Sequence, residues 1–339
     1  MSLSLLRALA LAAAAVGASS ITEPALHLVI HRDPAFAVPD SVLAQLTAVS
    51  DLALDADGSL YLSDFRFPAV LHLEGSGALR RTIGRGGAGP GEFYSLLKLG
   101  LCHDSLWVVD PGQVRVTLFP PRGRGAITIP YGAYARVVRG SRHSQSRQGT
   151  PVTLLPNGGM LVQENLPLSN DPADGMSRTL LLQTDRALGV RDTVAQFSML
   201  HSAMVFVYDD GETHFRQPFS DDPMYATSSD GSVLVMVSRT AAKGSAEQEF
   251  TVAVQRDGRP ALQRTISYRP RALPTRVVDS VVREMVNPRD YEGPPLPITS
   301  DSVRRRLFRP RYYPPVEQVA VGKSRRRTES EVIGSGGPS

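Results

Sequence analysis

The feature that most limits the folds open to this chain is a repeated unit of short strands and tight turns. Short alternating apolar runs, separated by Asp-Gly, Asn-Gly or Gly-rich turns, fill residues 49–93, 96–129, 150–197 and 224–268. Each run is too short for a helix, and no helical segment separates one run from the next. This arrangement disfavours parallel α/β folds, in which a crossover helix joins successive strands.

Four strands in each unit predict the blade of a β-propeller. The unit returns after about 45 residues, which is the length typical of such blades. In the first unit the strands are expected near 49–54, 59–63, 69–73 and 78–83. The predicted fold class is therefore all-β, a β-propeller of four-stranded antiparallel blades over residues 21–322.

The loop between the first two units resembles a motif of the NHL-repeat propellers. Residues 84–93 read GRGGAGPGEF, and the family pattern G-x-G-x-x-G-P-G-x-F is matched at Gly84, Gly86, Gly89, Pro90, Gly91 and Phe93. A second family pattern, V-x-D-x-x-x-x-R-V-x-x-F, is approximated by Val109, Asp110, Arg115, Val116 and Phe119. The chain thus resembles bacterial, secreted members of this six-bladed family, most specifically over residues 49–130. The family includes binding scaffolds and a few lyases, so the resemblance implies no single function.

The glycine-rich loop and two aspartates each allow two interpretations. Backbone amides of such a loop can bind anions, but residues 84–93 lack the Lys-Ser/Thr pair of a phosphate-binding loop and precede a strand. We therefore interpret the glycines as a tight crossing between blades and Phe93 as a core residue. Asp64 and Asp110 occupy matching strand ends, and we interpret them as turn caps, with ligand-facing carboxylates as the alternative.

Charge and cysteine content narrow the class of function. The formal net charge is +4, but residues 301–339 hold nine basic and four acidic side chains, which leaves residues 1–300 at −1. A body this neutral gives no electrostatic reason to expect nucleic acid as a partner. The single cysteine, Cys102, excludes an intrachain disulfide framework.

The two ends of the chain differ from the repeats. Residues 1–20 form an apolar run that closes on small residues, which indicates a secretory signal peptide and a secreted or periplasmic location. A frayed N-terminal helix is the alternative. The run is shorter than the roughly 20 apolar residues that a membrane span needs, so no stable membrane insertion is expected. Residues 323–339 are basic and poor in apolar side chains, and they are predicted to be a disordered tail.

Loop lengths predict a binding face. In a four-stranded blade, the turns after the first and third strands lie at one end, and here they are uniformly short. The loops after second strands and the crossings between blades lie at the other end. They contain the long insertions, at 84–95, 130–149, 164–177, 198–223, 239–248 and 269–315. A rigid scaffold concentrates ligand contacts on such loops. The alternative is that the long loops take no part in binding. From position alone, the predicted binding residues are Arg66, Gln113, Glu164 and Arg239.

The longest insertion is predicted to contain a helical hairpin at about 274–310. Residues 275–286 have apolar side chains at helical spacing, with Thr275 as the expected N-cap after a proline. A second short helix is expected at 300–308. Placed over the loop-rich face, this hairpin would act as a lid or as a partner-docking element.

The predicted function is a binding or interaction scaffold for a protein, a peptide or a glycan. No catalytic residue and no cofactor are predicted, because the seven histidines are scattered and the nucleophile elbow of hydrolases is missing from the sequence. The alternative is a metal-dependent hydrolase or lyase with an axial site on the same face. Two or more histidines converging with an acid would favour that alternative.

The strand count predicts a propeller that is incomplete at its C-terminus. A six-bladed disc needs about 24 strands. Beyond the four units we expect a strand at 25–31, a hairpin at 204–217 and a strand at 316–321. A frameshift or an early stop in a longer gene would explain the deficit, and a natural basic tail is the alternative. Unpaired sheet edges in such a disc would favour oligomers.

Overall fold

The computed structural model describes residues 36–121, 125–131, 149–168, 176–208, 211–288 and 297–321. These residues belong to the unit Phe36–Ser339, one of the two units into which the chain divides. The predicted signal peptide at 1–20, the strand at 25–31 and the tail at 323–339 lie outside the described residues.

Four antiparallel sheets of four strands each form the blades. In every blade the strands pair in chain order, because a short turn leaves each strand beside the one before it. The first blade contains β1 (Val49–Leu54), β2 (Leu60–Asp64), β3 (Val70–Leu73) and β4 (Leu79–Ile83). After a crossing with β5 (Arg85–Gly86) and β6 (Glu92–Phe93), the second contains β7 (Lys98–Cys102), β8 (Ser105–Asp110), β9 (Arg115–Phe119) and β10 (Ile127–Pro130).

The third and fourth blades are separated by a hairpin. The third blade contains β11 (Thr150–Leu154), β12 (Met160–Pro167), β13 (Ser177–Thr184) and β14 (Val190–Met199). The hairpin consists of β15 (Ala203–Tyr208) and β16 (Gly211–Arg216). The fourth blade contains β17 (Met224–Thr227), β18 (Val233–Ser238), β19 (Gln248–Arg256) and β20 (Arg259–Tyr268).

The predicted all-β propeller of four-stranded antiparallel blades is confirmed, and so is the hairpin predicted at 204–217. The described residues contain four blades, not the six of the family that the sequence resembles. The strand predicted at 316–321 is wrong, since this segment forms no ladder. A strand requires a partner backbone, and here the Val316 carbonyl oxygen accepts a hydrogen bond from the Arg239 guanidinium.

Each of the first three blades buries one face against the blade that follows. Side chains alternate between the two faces of a strand, so every second residue of the inner strands enters such an interface. The pairs buried at the three interfaces, in chain order, are Val70 with Val108, Trp107 with Met160, and Leu181 with Leu234. Burial of these apolar side chains stabilises the stack of blades.

The crossing from the first to the second blade explains the glycine-rich loop. Gly84 has a φ of 82°, and a Cβ there would collide with the ring of Phe93, which is fully buried. The side-chain amide of Gln113 donates to the carbonyl oxygens of Gly87 and Glu92, at 2.9 and 3.2 Å. The loop is therefore a tight crossing with Phe93 as its core residue, as the sequence predicts.

The helical insertion contains α2 (Thr275–Val286) and α3 (Ser300–Arg306). The predicted range 275–286 is confirmed, but Thr275 is the first helical residue and Pro274 occupies the N-cap position. α3 begins with a capping box of Thr299 and Ser302. Among the helices of the described ranges, none has the length and the apolar character that crossing a membrane would require.

Both helices pack on the β15–β16 hairpin. Val278 and Val282 of α2 share a buried cluster with Val303 of α3 and with Met204 and Phe206 of β15. The insertion and the hairpin thus form a core of their own beside the blades.

A short segment covers the face of the first blade that points away from the second. The helix α1 (Asp40–Leu43) places Val42, which is buried, against Leu62 and Leu71. Val38 and Leu46 pack against the same cluster. That face of the first blade is therefore occupied by residues 38–46.

Candidate functional site

A cavity of about 590 Å³ lies at the loop-rich end of the fourth blade. Successive strands run in opposite directions, so the end of β18 meets the starts of β17 and β19 at one end of the sheet. The insertions 198–223 and 239–248 both contribute walls. The lining includes Leu200, His201, Asp221, Arg239, Phe250 and Thr251.

The cavity wall contains an oriented histidine–aspartate pair. His201 follows β14, and its Nδ1 lies 2.8 Å from Oδ1 of Asp221. The second carboxylate oxygen of Asp221 accepts from the backbone N–H of Ala241 at 2.8 Å. The imidazole also stacks on the ring of Phe308, with centroids 3.6 Å apart and planes 12° from parallel. These contacts hold the imidazole in one orientation. Its Nε2 takes no part in the contact with Asp221.

Asp222, unlike the neighbouring Asp221, connects two segments of the backbone. Its side chain is buried, and its carboxylate accepts from the backbone N–H groups of Leu200 and His201 at 2.8 and 3.0 Å. It therefore joins the segment that leaves the third blade to the segment that enters the fourth. The position of the His201 backbone depends on this tie.

Arg239 stabilises the same cavity wall through hydrogen bonds to two backbone carbonyl oxygens. Its Nε donates to the Asp222 carbonyl oxygen at 2.9 Å, and Nη1 donates to the Val316 carbonyl oxygen. Burial lowers the pKa of the guanidinium, and the Asp221 carboxylate acts in the opposite direction. The group remains a cation at ordinary pH, since an arginine starts far above that range.

The lining combines apolar surface with an excess of acids. Apolar contacts come from Leu200, Pro223 and Phe250, and hydroxyl groups from Thr240, Thr251 and Thr265. The acidic residues Asp221, Asp222 and Glu249 face one cation, Arg239. Such a site favours a ligand that offers hydrogen-bond donors or positive charge.

The structure brings one of the four sequence-predicted residues, Arg239, to this cavity. Arg66 is exposed just after β2 of the first blade. Gln113 also donates to Oδ2 of Asp110 at 2.8 Å, so its amide serves the crossing between blades. Glu164 is buried within β12.

The matching aspartates Asp64 and Asp110 are tethers within their blades. The carboxylate of Asp64 accepts from the backbone N–H groups of Thr47, Ala48 and Arg66, at 2.7, 2.5 and 2.8 Å. That of Asp110 accepts from Tyr94 in the same way, at 2.9 Å. Both side chains are fully buried. The turn-cap interpretation is therefore confirmed and extends to the residues that lead into each first strand.

The cluster of His201, Asp221 and Asp222 in the cavity wall could hold a metal ion. His201, Asp221 and Asp222 each offer a ligand atom, and these atoms lie within 4.8 Å of one another. In the described residues this group contains one histidine, where the hydrolase or lyase alternative expects two or more. The carboxylate oxygens of both aspartates already accept hydrogen bonds from backbone or ring nitrogen atoms.

Sequence reasoning missed His201 and the Asp221–Asp222 pair as site residues. They lie about twenty positions apart, at the two ends of an insertion, and no periodic pattern connects them. The one available signal was the adjacent acid pair inside the 198–223 insertion.

No protein-family model matches the chain, and no curated protein matches it. Solved structures that align with it include a Bacteroides fragilis protein, at 12% identity over 66% of this chain and 72% of that chain, with a TM-score of 0.33. Virginiamycin B lyase from Staphylococcus aureus aligns at 9% identity over 76% and 87%, with a TM-score of 0.31. YCF48 bound to a D1 peptide aligns at 9% identity over 64% and 68%, with a TM-score of 0.32. Values this low assign neither a family nor an activity.

Proposed function

We propose that the chain is a secreted or periplasmic binding scaffold, and that its cavity at the fourth blade receives a peptide or an extended segment of a partner protein. One observation carries this proposal: two of the long insertions meet there around an oriented His201–Asp221 pair. A rigid sheet that holds polar groups in a concave site is the usual form of a ligand pocket. A glycan is the alternative ligand.

The lining chemistry supports an extended peptide with a basic side chain. Hydroxyl groups and carboxylates can bind the backbone amides of an extended chain, and Phe250 and Leu200 offer apolar contact to alternate side chains. The carboxylates of Asp221 and Glu249 would attract a lysine or arginine of the ligand.

The predicted binding residues take two roles in this proposal. Arg239 forms the cavity wall, and Arg66 extends the binding surface from the same end of the first blade. Gln113 acts through the crossing loop that its side-chain amide supports, and Glu164 acts through strand β12, in which it is buried.

We also retain the NHL-like, six-bladed type as part of the proposal. Its support is the crossing loop, in which Gly84 and Gly91 have φ of 82° and 77° and Phe93 is buried, as the motif requires. The secreted or periplasmic location rests on the sequence of residues 1–20.

Selection from a random peptide library displayed on phage, with the purified chain as bait, is expected to enrich peptides that contain lysine or arginine. Glu249→Arg should then weaken binding of an enriched peptide about tenfold or more, because it places a cation at the cavity wall. Fluorescence anisotropy with the labelled peptide measures the change.

The matched control is Glu74→Arg. Glu74 is also exposed, but it lies at the turn between β3 and β4, at the opposite end of a blade. The Glu74→Arg variant should bind the enriched peptide with the same affinity as the unmodified chain. A selection that enriches no peptide, or a peptide that binds all three proteins equally, would contradict the proposed site.

The second candidate function is the metal-dependent hydrolase or lyase, which the His201, Asp221 and Asp222 cluster favours. Elemental analysis of the purified chain separates the two functions. The scaffold predicts no stoichiometric metal after dialysis, because the carboxylates are occupied by hydrogen bonds. A stoichiometric metal that His201→Ala removes would instead support the enzyme.

A further inference from the structure

A second cavity, of about 280 Å³, lies where the chain leaves the last strand of the fourth blade. One wall comes from the segment that follows β20, and the other comes from the segment that follows α3. The volume is near the lower end of the range for ligand pockets, so the cavity suits a small molecule better than an extended chain. The lining includes Tyr268, Arg269, Arg271, Tyr313, Pro314 and Glu317.

Hydrogen bonds hold the two segments of the second cavity in place. The backbone N–H of Tyr313 donates to the Arg271 carbonyl oxygen at 2.9 Å. Further along the same segment, the Val316 carbonyl oxygen accepts from the Arg239 guanidinium. Two consecutive prolines restrict the backbone between these two ties. The walls are therefore fixed before a ligand arrives, which lowers the entropic cost of binding.

The charge of the second cavity favours an anion. The lining has two arginines and one acid, the exposed Glu317. No described carboxylate lies within ion-pair distance of Arg269 or Arg271. The guanidinium carbon of Arg271 lies 4.3 Å from the centroid of the Tyr313 ring. A guanidinium stacked in this way has a fixed plane and presents the N–H groups of its edge to an oxyanion.

The hydroxyl group of Tyr268 supplies a further hydrogen-bond donor. Its oxygen is buried and has no hydrogen-bond partner among the described residues. Buried polar groups in folded proteins nearly always have a partner, so an unpartnered one in the wall of a cavity points to a ligand. Burial raises the pKa of this hydroxyl, which therefore stays protonated at ordinary pH and can donate.

We infer that the second cavity binds a carboxylate or a phosphate carried by a small aromatic group. Arg269 and Arg271 bind the oxyanion, and the Tyr268 hydroxyl donates to it. The aromatic group packs on the flat apolar surface that the tyrosine rings and the two prolines offer. This ligand has the opposite charge to the peptide proposed for the cavity around His201, and the inference does not depend on that proposal.

Ligand-observed NMR titrations of the full chain with benzoate and with phenyl phosphate test the inference. At least one of these anions should bind with a Kd of about 0.1–1 mM, and their ratio shows whether the site prefers a carboxylate or a phosphate. Benzyl alcohol and inorganic phosphate should each bind at least about tenfold more weakly, because the first lacks the charge and the second lacks the ring. Failure of both anions to bind, or equal binding of either control, would overturn the inference.

A pair of arginine variants shows whether the anion binds in the second cavity. Arg271→Ala should weaken binding of the better anion about tenfold, because a charge-assisted hydrogen bond is lost. Arg276→Ala should leave the affinity unchanged. Arg276 is also an exposed arginine, but it lies on α2 outside the lining, so both variants change the net charge equally. Equal losses would reveal a general attraction to the basic surface and would contradict the site.

Tyr268→Phe tests the hydroxyl group without opening a cavity. This variant should weaken binding about threefold or more, and the Tm of the unliganded chain should not fall, since the hydroxyl has no described partner to lose. A lower Tm would show that the hydroxyl is bonded within the chain and would remove it from the site. Undiminished binding by the folded variant would do the same.

Discussion

Replacing Phe93 with alanine is expected to lower the free energy of unfolding by about 3–5 kcal/mol. The ring is fully buried between the first two blades, 6.0 Å from the ring of Phe119, and it fills the space beside Gly84. Its removal leaves a cavity that the crossing cannot close, because the backbone there is already constrained by the left-handed Gly84. Urea denaturation followed by fluorescence or circular dichroism measures the loss.

The neighbouring Tyr94 is the control for this substitution. Its side chain is 61% exposed, so Tyr94→Ala should change the free energy of unfolding by less than about 0.5 kcal/mol. If the two variants lost equal stability, the crossing would not depend on Phe93 as a core residue.

Asp64→Ala is expected to lower the free energy of unfolding by about 3 kcal/mol or more. The carboxylate accepts from four backbone N–H groups, on Thr47, Ala48, Arg66 and Phe67, and alanine leaves these donors without it. Asp192→Ala is the control, since Asp192 is exposed and accepts from the adjacent backbone N–H. An equal loss in both variants would contradict the tether.

The same carboxylate predicts a dependence of stability on pH. Burial raises the pKa of Asp64, but the hydrogen bonds from Arg66, Ala48 and Thr47 outweigh it and hold the pKa below the usual value. A carboxylate whose pKa is lower in the folded state stabilises the fold fully at pH values above its unfolded-state pKa of about 3.9. That stabilisation is lost as the pH falls through the folded-state pKa. Denaturation midpoints of the unmodified chain should therefore fall on acidification below about pH 4. Those of Asp64→Ala should fall less.

The elements that sequence predicted well are those set by local spacing. The helix at 275–286 was predicted with its observed bounds, because apolar residues at helical intervals after a proline need no distant partner. The tight turns were also predicted, since Gly58 and Gly231 adopt positive φ that few other residues tolerate. The strand predicted at 316–321 failed for the opposite reason: its alternation is local, but a strand needs a partner backbone.

The candidate site was predicted only in outline. Loop lengths indicated the end of the blades where the cavity lies, and Arg239, one of the four residues predicted from position, lines that cavity. The His201–Asp221 pair could not be predicted, because the contact arises from the way the 198–223 insertion folds back on itself. The burial of Glu164 was equally hidden, since β12 continues to Pro167 and Glu164 lies inside that strand and not, as predicted, just past its end.

The sequence alone determined that the chain builds four-stranded antiparallel blades, because strand alternation and turn glycines act over a few residues. Only the tertiary structure decided which face of each blade is buried. Packing of one sheet on another joins residues far apart in the chain, such as Leu181 with Leu234, and no local pattern records it. The same non-local packing covers the free face of the first blade with Val42.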